Sequence, residues 1–336
     1  MIDFRYHVVS LVSVFLALAV GIILGAGPLQ QPIGDSLTGQ VEKLRETRNT
    51  LQKELDSTRI EVNDRNDFIA AAAPQLLAGT LGEQGIALVT LPGVQVDDVT
   101  SIRETITQAG GIVTAEISLT PNWTELAKTQ YRSTLVGQLG TYLSQPPGAS
   151  DVPEQILAQA LGQLLTEKWD ETLVSILTTA GDELISVKAA PTQMARATVI
   201  VAPRSQAPAA ADGKAGDAES QAALDSRDAA YTMLAQTLSL KAGGTVVIGA
   251  ALNDGDLVSV LRAKAAGVST VDGIGKMPSA VSLPLALANS INGTIGAWGF
   301  ADSAQSPLPP KVVAQAPAPP PQPETPEEPA PEGSGG

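Results

Sequence analysis

The period of apolar and polar positions changes three times along the chain, and each change predicts a different element. Val8 to Ala26 (VVSLVSVFLALAVGIILGA) gives 19 residues in which two serines are the clearly polar members, and no Asp, Glu, Lys or Arg lies between Tyr6 and Gly34. A helix needs about 20 apolar residues to cross hydrocarbon. Residues 1–27 therefore predict a transmembrane segment, carried by Val8, Leu11, Phe15, Leu18, Gly21, Leu24 and Gly25. The long apolar run, and Asp3 beside Arg5 in the head, favour an uncleaved signal anchor. The small residues Gly25, Ala26 and Gly27 keep open the alternative that a peptidase removes the segment. In either case a short head with Arg5 stays cytoplasmic and the remainder of the chain is exported, which predicts a single-pass protein of the cell membrane with its C-terminal domain in the envelope. Gly21 and Gly25 share one helix face, a spacing that lets two such helices approach and that ordinary membrane helices also show.

After a turn-rich stretch from Gly27 to Gly39, the period becomes a heptad. Leu37, Val41, Leu44, Arg48, Leu51, Leu55, Thr58, Val62, Arg65 and Ile69 alternate steps of four and three, and the apolar members are Leu37, Val41, Leu44, Leu51, Leu55, Val62 and Ile69. A sustained a/d pattern predicts a coiled coil over 37–73, in which Arg48, Thr58 and Arg65 weaken the seam but fix its register, and Glu54 and Arg59 stand at the spacing of an interhelical ion pair. The chain is thus expected to self-associate as a homo-oligomer, or to pair with a partner helix. A single amphipathic helix lying on its own globular domain fits the same pattern. Pro74 is expected to end the helix near residues 70–73.

Beyond Pro74, short buried runs alternate with helical stretches. Gly85–Leu91 reads as a strand, Asp97–Ala109 as a helix and Ile112–Leu119 as a strand; Thr245–Gly249, Asp254–Ala265 and Val268–Val271 repeat that grammar. Both helices end in Ala-Gly, a stop signal that turns the chain into the next strand. Helices are expected over about 122–144, 153–181 and 222–241, with a strand at Ala197–Val201 and a loop from Pro203 to Gly216. Alternating strands and helices predict an α/β domain over 80–303, a mostly parallel sheet flanked by helices. From Pro307 onward 11 of 30 residues are Pro, so 304–336 is expected to be a disordered, extended Pro-rich tail.

Charge and composition narrow the functions. The net charge is -14, and residues 75–336 hold 26 acidic against 14 basic side chains, so the exported part repels phosphate backbones and no nucleic-acid partner is expected. With no Cys there is no disulfide, thiolate nucleophile or zinc knuckle. The single His7 lies at the membrane edge, outside the α/β domain, which removes Ser/His/Asp chemistry. Gly273-Ile-Gly-Lys-Met resembles the end of a P-loop, but Thr270 replaces its first Gly and Met277 its Ser or Thr. Asp97, Asp98, Asp254 and Asp256 stand at expected helix starts, where carboxylates cap. No enzyme activity, catalytic residue or cofactor is expected. Eleven aromatic residues and strands that alternate with helices also argue against a transmembrane β-barrel.

Copper is the sharpest case. Cu(I) prefers thiolate, thioether and imidazole ligands; the chain offers His7 and the isolated Met194, Met233 and Met277 beyond the initiator. A monomer is therefore not expected to bind copper tightly, and no metal ligand is assigned. His7 gains partners only where neighbouring chains bring copies of it together.

Arg5, His7, Ser10-Leu11, Val14-Phe15-Leu16-Ala17-Leu18-Ala19, Gly21 and Leu24-Gly25, followed by the heptad helix, resemble the MctB family of actinobacterial envelope proteins. The resemblance extends by layout through the α/β domain to about residue 300. It implies a cell-envelope protein of copper transport, acting in copper efflux or homeostasis as part of an assembly. Members in corynebacteria, called SteB, are tied instead to cell division and the control of peptidoglycan hydrolysis. The alternative expectation is thus a membrane-anchored coiled-coil adaptor that recruits an envelope protein partner.

Overall fold

A computed structural model of the chain describes residues 4–25, 30–145, 148, 152–205 and 218–316. It divides into two units, Met1–Asp67 and Phe68–Gly336. In the first, Phe4–Gly25 forms helix α1, none of whose residues is buried. At 1.5 Å per residue its 22 residues reach about 33 Å, enough to cross a hydrocarbon layer about 30 Å thick.

Helix α2 (Gln30–Leu77) is longer at both ends than the pattern predicts. Most of the expected turn between Gly27 and Gly39 is helical, with Pro32 in the first turn, where its missing N–H costs no hydrogen bond. At the other end the helix runs through Pro74 to Leu77 instead of stopping before it. The lost bond is offset by anchoring in the second unit: Ala73 and Leu77 are buried in its core, and Ala78 N–H donates to the Pro74 carbonyl at 3.0 Å.

The second unit is α/β, as the alternating pattern predicts. In chain order it runs β1 (Gly85–Thr90), α3 (Val96–Gln108), β2 (Ile112–Leu119), α4 (Thr129–Leu139), α5 (Pro153–Thr166), α6 (Glu171–Leu177), β3 (Ile185–Ala189), β4 (Ala197–Val201), α7 (Ala218–Lys241), β5 (Thr245–Gly249), α8 (Leu257–Ala263), β6 (Ser269–Asp272), α9 (Met277–Ile291) and β7 (Ala297–Trp298). The strands form one sheet in the order β3-β2-β1-β4-β5-β6-β7. Every pairing is parallel except that of β3 with β2 at the edge.

Both faces of the sheet are covered, and the pleat shows how. Ile86 and Leu88 of β1 join the core under α3, α9 and the end of α2, whereas Ala87 and Val89 join the core under α4 to α8. Successive strand side chains point to opposite faces, so a strand buried on both sides reads as a continuous apolar run.

Two expected helices are broken. The stretch 153–181 splits because Asp170 starts a new helix, accepting from the Thr172 and Leu173 amides. The stretch 122–144 opens as two short 3₁₀ turns before α4 begins. Strand β3 and helix α9 have no counterpart among the expected elements. Only the first residues of the expected loop from Pro203 to Gly216 fall among the described ones.

The tail begins later than expected. Residues 304–316 lie on the α/β unit: Ala314 is buried and its N–H donates to the Thr80 carbonyl at 2.8 Å, while the Asn289 amide donates to the Pro310 carbonyl at 2.8 Å. A Pro-rich segment has few amides to satisfy and a low ordering entropy, so a few side-chain donors suffice to fix it. Residues 317–336 of the expected tail lie outside the described residues.

Candidate functional site

The residues singled out from the sequence sit on exposed helix faces. Val8, Leu11, Phe15, Leu18 and Leu24 are exposed on α1, and an added Cβ at Gly21 or Gly25 would meet nothing within 4 Å. On α2, Val41, Leu44, Leu51, Leu55 and Val62 are exposed as well. Ile69 differs, because it packs against the core under α3 and α9 and is not free for a partner helix. Leu37 is helical, and its side chain lies outside what the structure describes. Along the same helix Arg59 lies 3.7 Å from Asp56, and Arg65 lies 3.1 Å from Glu61, both pairs open to solvent.

The soft donors are dispersed. His7 is exposed on α1, Met277 packs against the core, Met194 is half-buried in the loop before β4, and Met233 is half-buried on α7. Among the described residues no three His, Cys, Asp or Glu side chains converge.

Polar groups do converge at the carboxyl ends of the parallel strands, where open α/β sheets place their ligands. The strand order reverses direction between β1 and β4, and that switch point is spanned by an ion pair. Arg204, just after β4, donates from Nε (3.0 Å) and Nη2 (2.7 Å) to the two carboxylate oxygens of Asp98 on α3. Asp98 was expected to cap a helix; its side chain is instead buried against this arginine, and the N-cap residue of α3 is Gln95. The hydrogen bonds to Asp98 hold the guanidinium above the ordinary arginine range. Asp256 departs from capping too: it precedes α8, but its carboxylate accepts from the Leu252 and Asn253 amides of the preceding loop, at 2.8 Å each.

Beside this pair, a cavity of about 270 Å³ opens over the ends of β4, β5 and β6, lined by Arg204, Leu252, Asp272, Gly273, Lys276 and Phe300 among others. Its floor is the turn between β6 and α9, where Gly273 and Gly275 have φ of 80° and 83°. At Gly275 a side chain is excluded twice: the backbone is left-handed, and a Cβ would come within 2.5 Å of Arg204 Nε. Asp272 is already engaged, accepting from Arg262 Nη1 at 2.8 Å and from the Phe300 and Ala301 amides at 2.7 and 3.2 Å. A second hollow, of about 460 Å³, lies over β1 and β2, between Thr90, Gly93, Arg103, Glu116, Ser118 and Lys188. There Arg103 pairs with Glu116 at 2.6 Å.

Arg204, Arg262, Asp272 and Ser279 were not singled out from the sequence. For Arg204 and Asp272 a signal exists: each stands at or just after the carboxyl end of an apolar strand run, where loops carry binding groups. Nothing local marks Arg262.

The comparison with known proteins covers both units. The family described as "Copper transport outer membrane protein, MctB" matches residues 1–309. Proteins named copper transporter MctB from Mycobacterium tuberculosis (strain ATCC 25618 / H37Rv) and Mycobacterium bovis (strain ATCC BAA-935 / AF2122/97) are 28% identical over 324 residues, covering 91% of this chain and 98% of each relative. The namesake from Mycobacterium leprae (strain TN) is 29% identical over 130 residues, 39% of this chain and 41% of its own. The match begins with α1 and runs through the heptad helix and the whole strand order to the first residues of the Pro-rich segment, and on that ground this chain belongs to the MctB family.

Proposed function

We propose that the chain is a single-pass envelope protein of copper efflux or homeostasis, anchored in the cell membrane by α1 with its α/β domain exported, and working as part of an assembly. The observation that carries this reading is the family match over residues 1–309, which includes the apolar helix. Its relatives bear the name copper transporter.

The donor chemistry bears on how such a protein acts. One chain holds no Cys, one His and four Met, too few soft ligands to retain Cu(I) tightly. The role therefore lies in assembly rather than in chelation or catalysis. Self-association through the exposed faces of Val41, Leu44, Leu51, Leu55 and Val62 would bring several copies of His7 together at the membrane edge, and a partner protein of the envelope would supply the remaining ligands.

The test is total copper per cell, measured by elemental mass spectrometry after a mild copper challenge, in a deletion strain, its complemented parent and a strain carrying the chain without residues 4–25. Copper is expected to rise on deletion, to return with the full chain and to stay high without the helix. Unchanged copper with misdivided cells would replace this reading with that of an adaptor for division or peptidoglycan hydrolase control.

A further inference from the structure

Helix α2 carries an apolar stripe that no described residue of its own chain covers. Val41, Leu44, Leu51, Leu55 and Val62 are between 41% and 69% exposed and share one helix face. The stripe stops at Ile69, which packs against the core under α3 and α9. A sustained seam of this kind is buried by another helix.

The residue types and the flanking charges say which helix. In heptad order Val41, Arg48, Leu55 and Val62 hold the a positions, and Leu44, Leu51, Thr58 and Arg65 the d positions. β-branched residues at a with Leu at d favour two parallel strands. Arg48 and Arg65 agree, because an arginine lays its stem along a two-stranded seam and keeps its head in water, whereas three or four helices would enclose the charge at a large desolvation cost. Beside the seam, Glu54 stands at g and Arg59 at e. In a parallel, in-register pair Glu54 of each copy meets Arg59 of the other, twice by symmetry. Antiparallel pairing over the same span would set Glu54 against Glu54 and Arg45 against Arg59 of the second copy. Within its own helix Glu54 makes no ion pair among the described residues, and Arg59 reaches Asp56 only at 3.7 Å with both side chains more than half exposed, so little competes for them. Copies held by α1 in one membrane also enter α2 from the same side.

We infer that α2 binds one second copy of this chain as a parallel, in-register coiled coil from Val41 to Arg65, its register set by Glu54 and Arg59 across the pair. It ends before Ile69 because that side chain belongs to the core of the α/β unit. The inference rests on the anchored, self-associating reading above and deepens it: the unit of assembly is a pair, which sets two copies of α1 in one membrane.

The experiment uses the full chain in detergent micelles, which is expected to sediment as two chains per particle. The chain has no Cys, so Leu44→Cys and Val62→Cys each place a single thiol near one end of the seam. In a parallel pair each thiol faces its own copy; in an antiparallel pair over the same span, position 44 faces position 62. Under oxidised glutathione both variants are expected to form disulfide-linked dimers, and Glu46→Cys, at the outward f position, far less. Arg59→Glu should raise the dissociation constant about tenfold, as two surface attractions become repulsions, and adding Glu54→Arg should restore it. An antiparallel pair would respond in the opposite sense, since Arg59→Glu relieves its contact with Arg45. The inference is overturned by a monomer, by three or more chains per particle, by linkage of Leu44→Cys and Val62→Cys no faster than that of Glu46→Cys, or by tighter association of Arg59→Glu. Cellular copper does not enter this test, so the copper reading and this inference can fail separately.

Discussion

Arg262 at the end of α8 and Asp272 at the end of β6 meet at 2.8 Å with both side chains almost out of solvent, 6% and 5% exposed. The arginine also donates to the Trp298 carbonyl (2.8 Å) and to Thr270 Oγ1 (3.0 Å), and the carboxylate accepts from the Phe300 and Ala301 amides. One ion pair therefore fastens the last strand and the loop after it to the end of the sheet.

Removing the arginine leaves a buried carboxylate without its counter-charge, which costs about 3–5 kcal/mol. Arg262→Ala is expected to lose stability on that scale in urea unfolding of the full chain, followed by circular dichroism. A loss under about 1 kcal/mol, the value of an exposed pair, would show that the pair does not fasten this edge.

Truncation locates where the folded part stops. A chain ending at Ala316 is expected to melt as the full chain does. One ending at Ser303 forfeits the bonds of Asn289 to Pro310, Asn292 to Val313 and Ala314 to Thr80. It should melt several degrees lower, at about 2–4 °C per kcal/mol for a domain of this size. Equal melting of the two would contradict the packing of 304–316.

Acid should weaken the α/β unit through Glu167 and Asp170. The Lys241 ammonium, donating at 2.7 Å, holds the Glu167 carboxyl below its ordinary 4.5, and the Leu173 amide foremost holds Asp170 below 3.8. A carboxyl depressed in the folded state adds stability above its unfolded value and loses it as pH falls through the folded one. Unfolding free energy should therefore decline as pH drops below about 4.5, and Lys241→Met should flatten the part of that slope that Glu167 contributes.

The exposed seam separates self-association from folding. Leu51→Asp with Leu55→Asp places charge on a face where the chain itself buries nothing. Sedimentation in detergent is expected to fall from oligomer to monomer, with unchanged melting of the α/β unit. A parent chain that is already monomeric would remove the homo-oligomer from the proposed assembly.

What was legible in the sequence was what a short window encodes. The uncharged run at Val8–Ala26, the heptad from Leu37 to Ile69, and the apolar runs at Gly85, Ile112, Ala197 and Thr245 each state their element through composition and period, because burial on one face or two imposes a spacing on neighbouring residues. Helix α9 escaped because it is apolar on every side and contains Pro284, so it has no period to read. Strand β3 escaped because, lying antiparallel at the sheet edge, it is exposed at Lys188 and Ala189 and lacks a continuous apolar run.

The remaining features were decided by the tertiary structure, and the reason is distance along the chain. Asp98 looks like a cap until Arg204 arrives from 106 residues away to claim both its oxygens. The Pro-rich stretch looks unbound until Thr80, Asn289 and Asn292 reach residues 310–315. Ser279 is an ordinary serine until the turn at Gly273 packs against its hydroxyl and buries it. The sequence by itself determined the helix of membrane length, the heptad pattern and the α/β class, since hydrophobic burial obeys local spacing. Which polar groups meet at the carboxyl edge was settled only by the strand order, which brings side chains far apart in the chain to one end of the sheet.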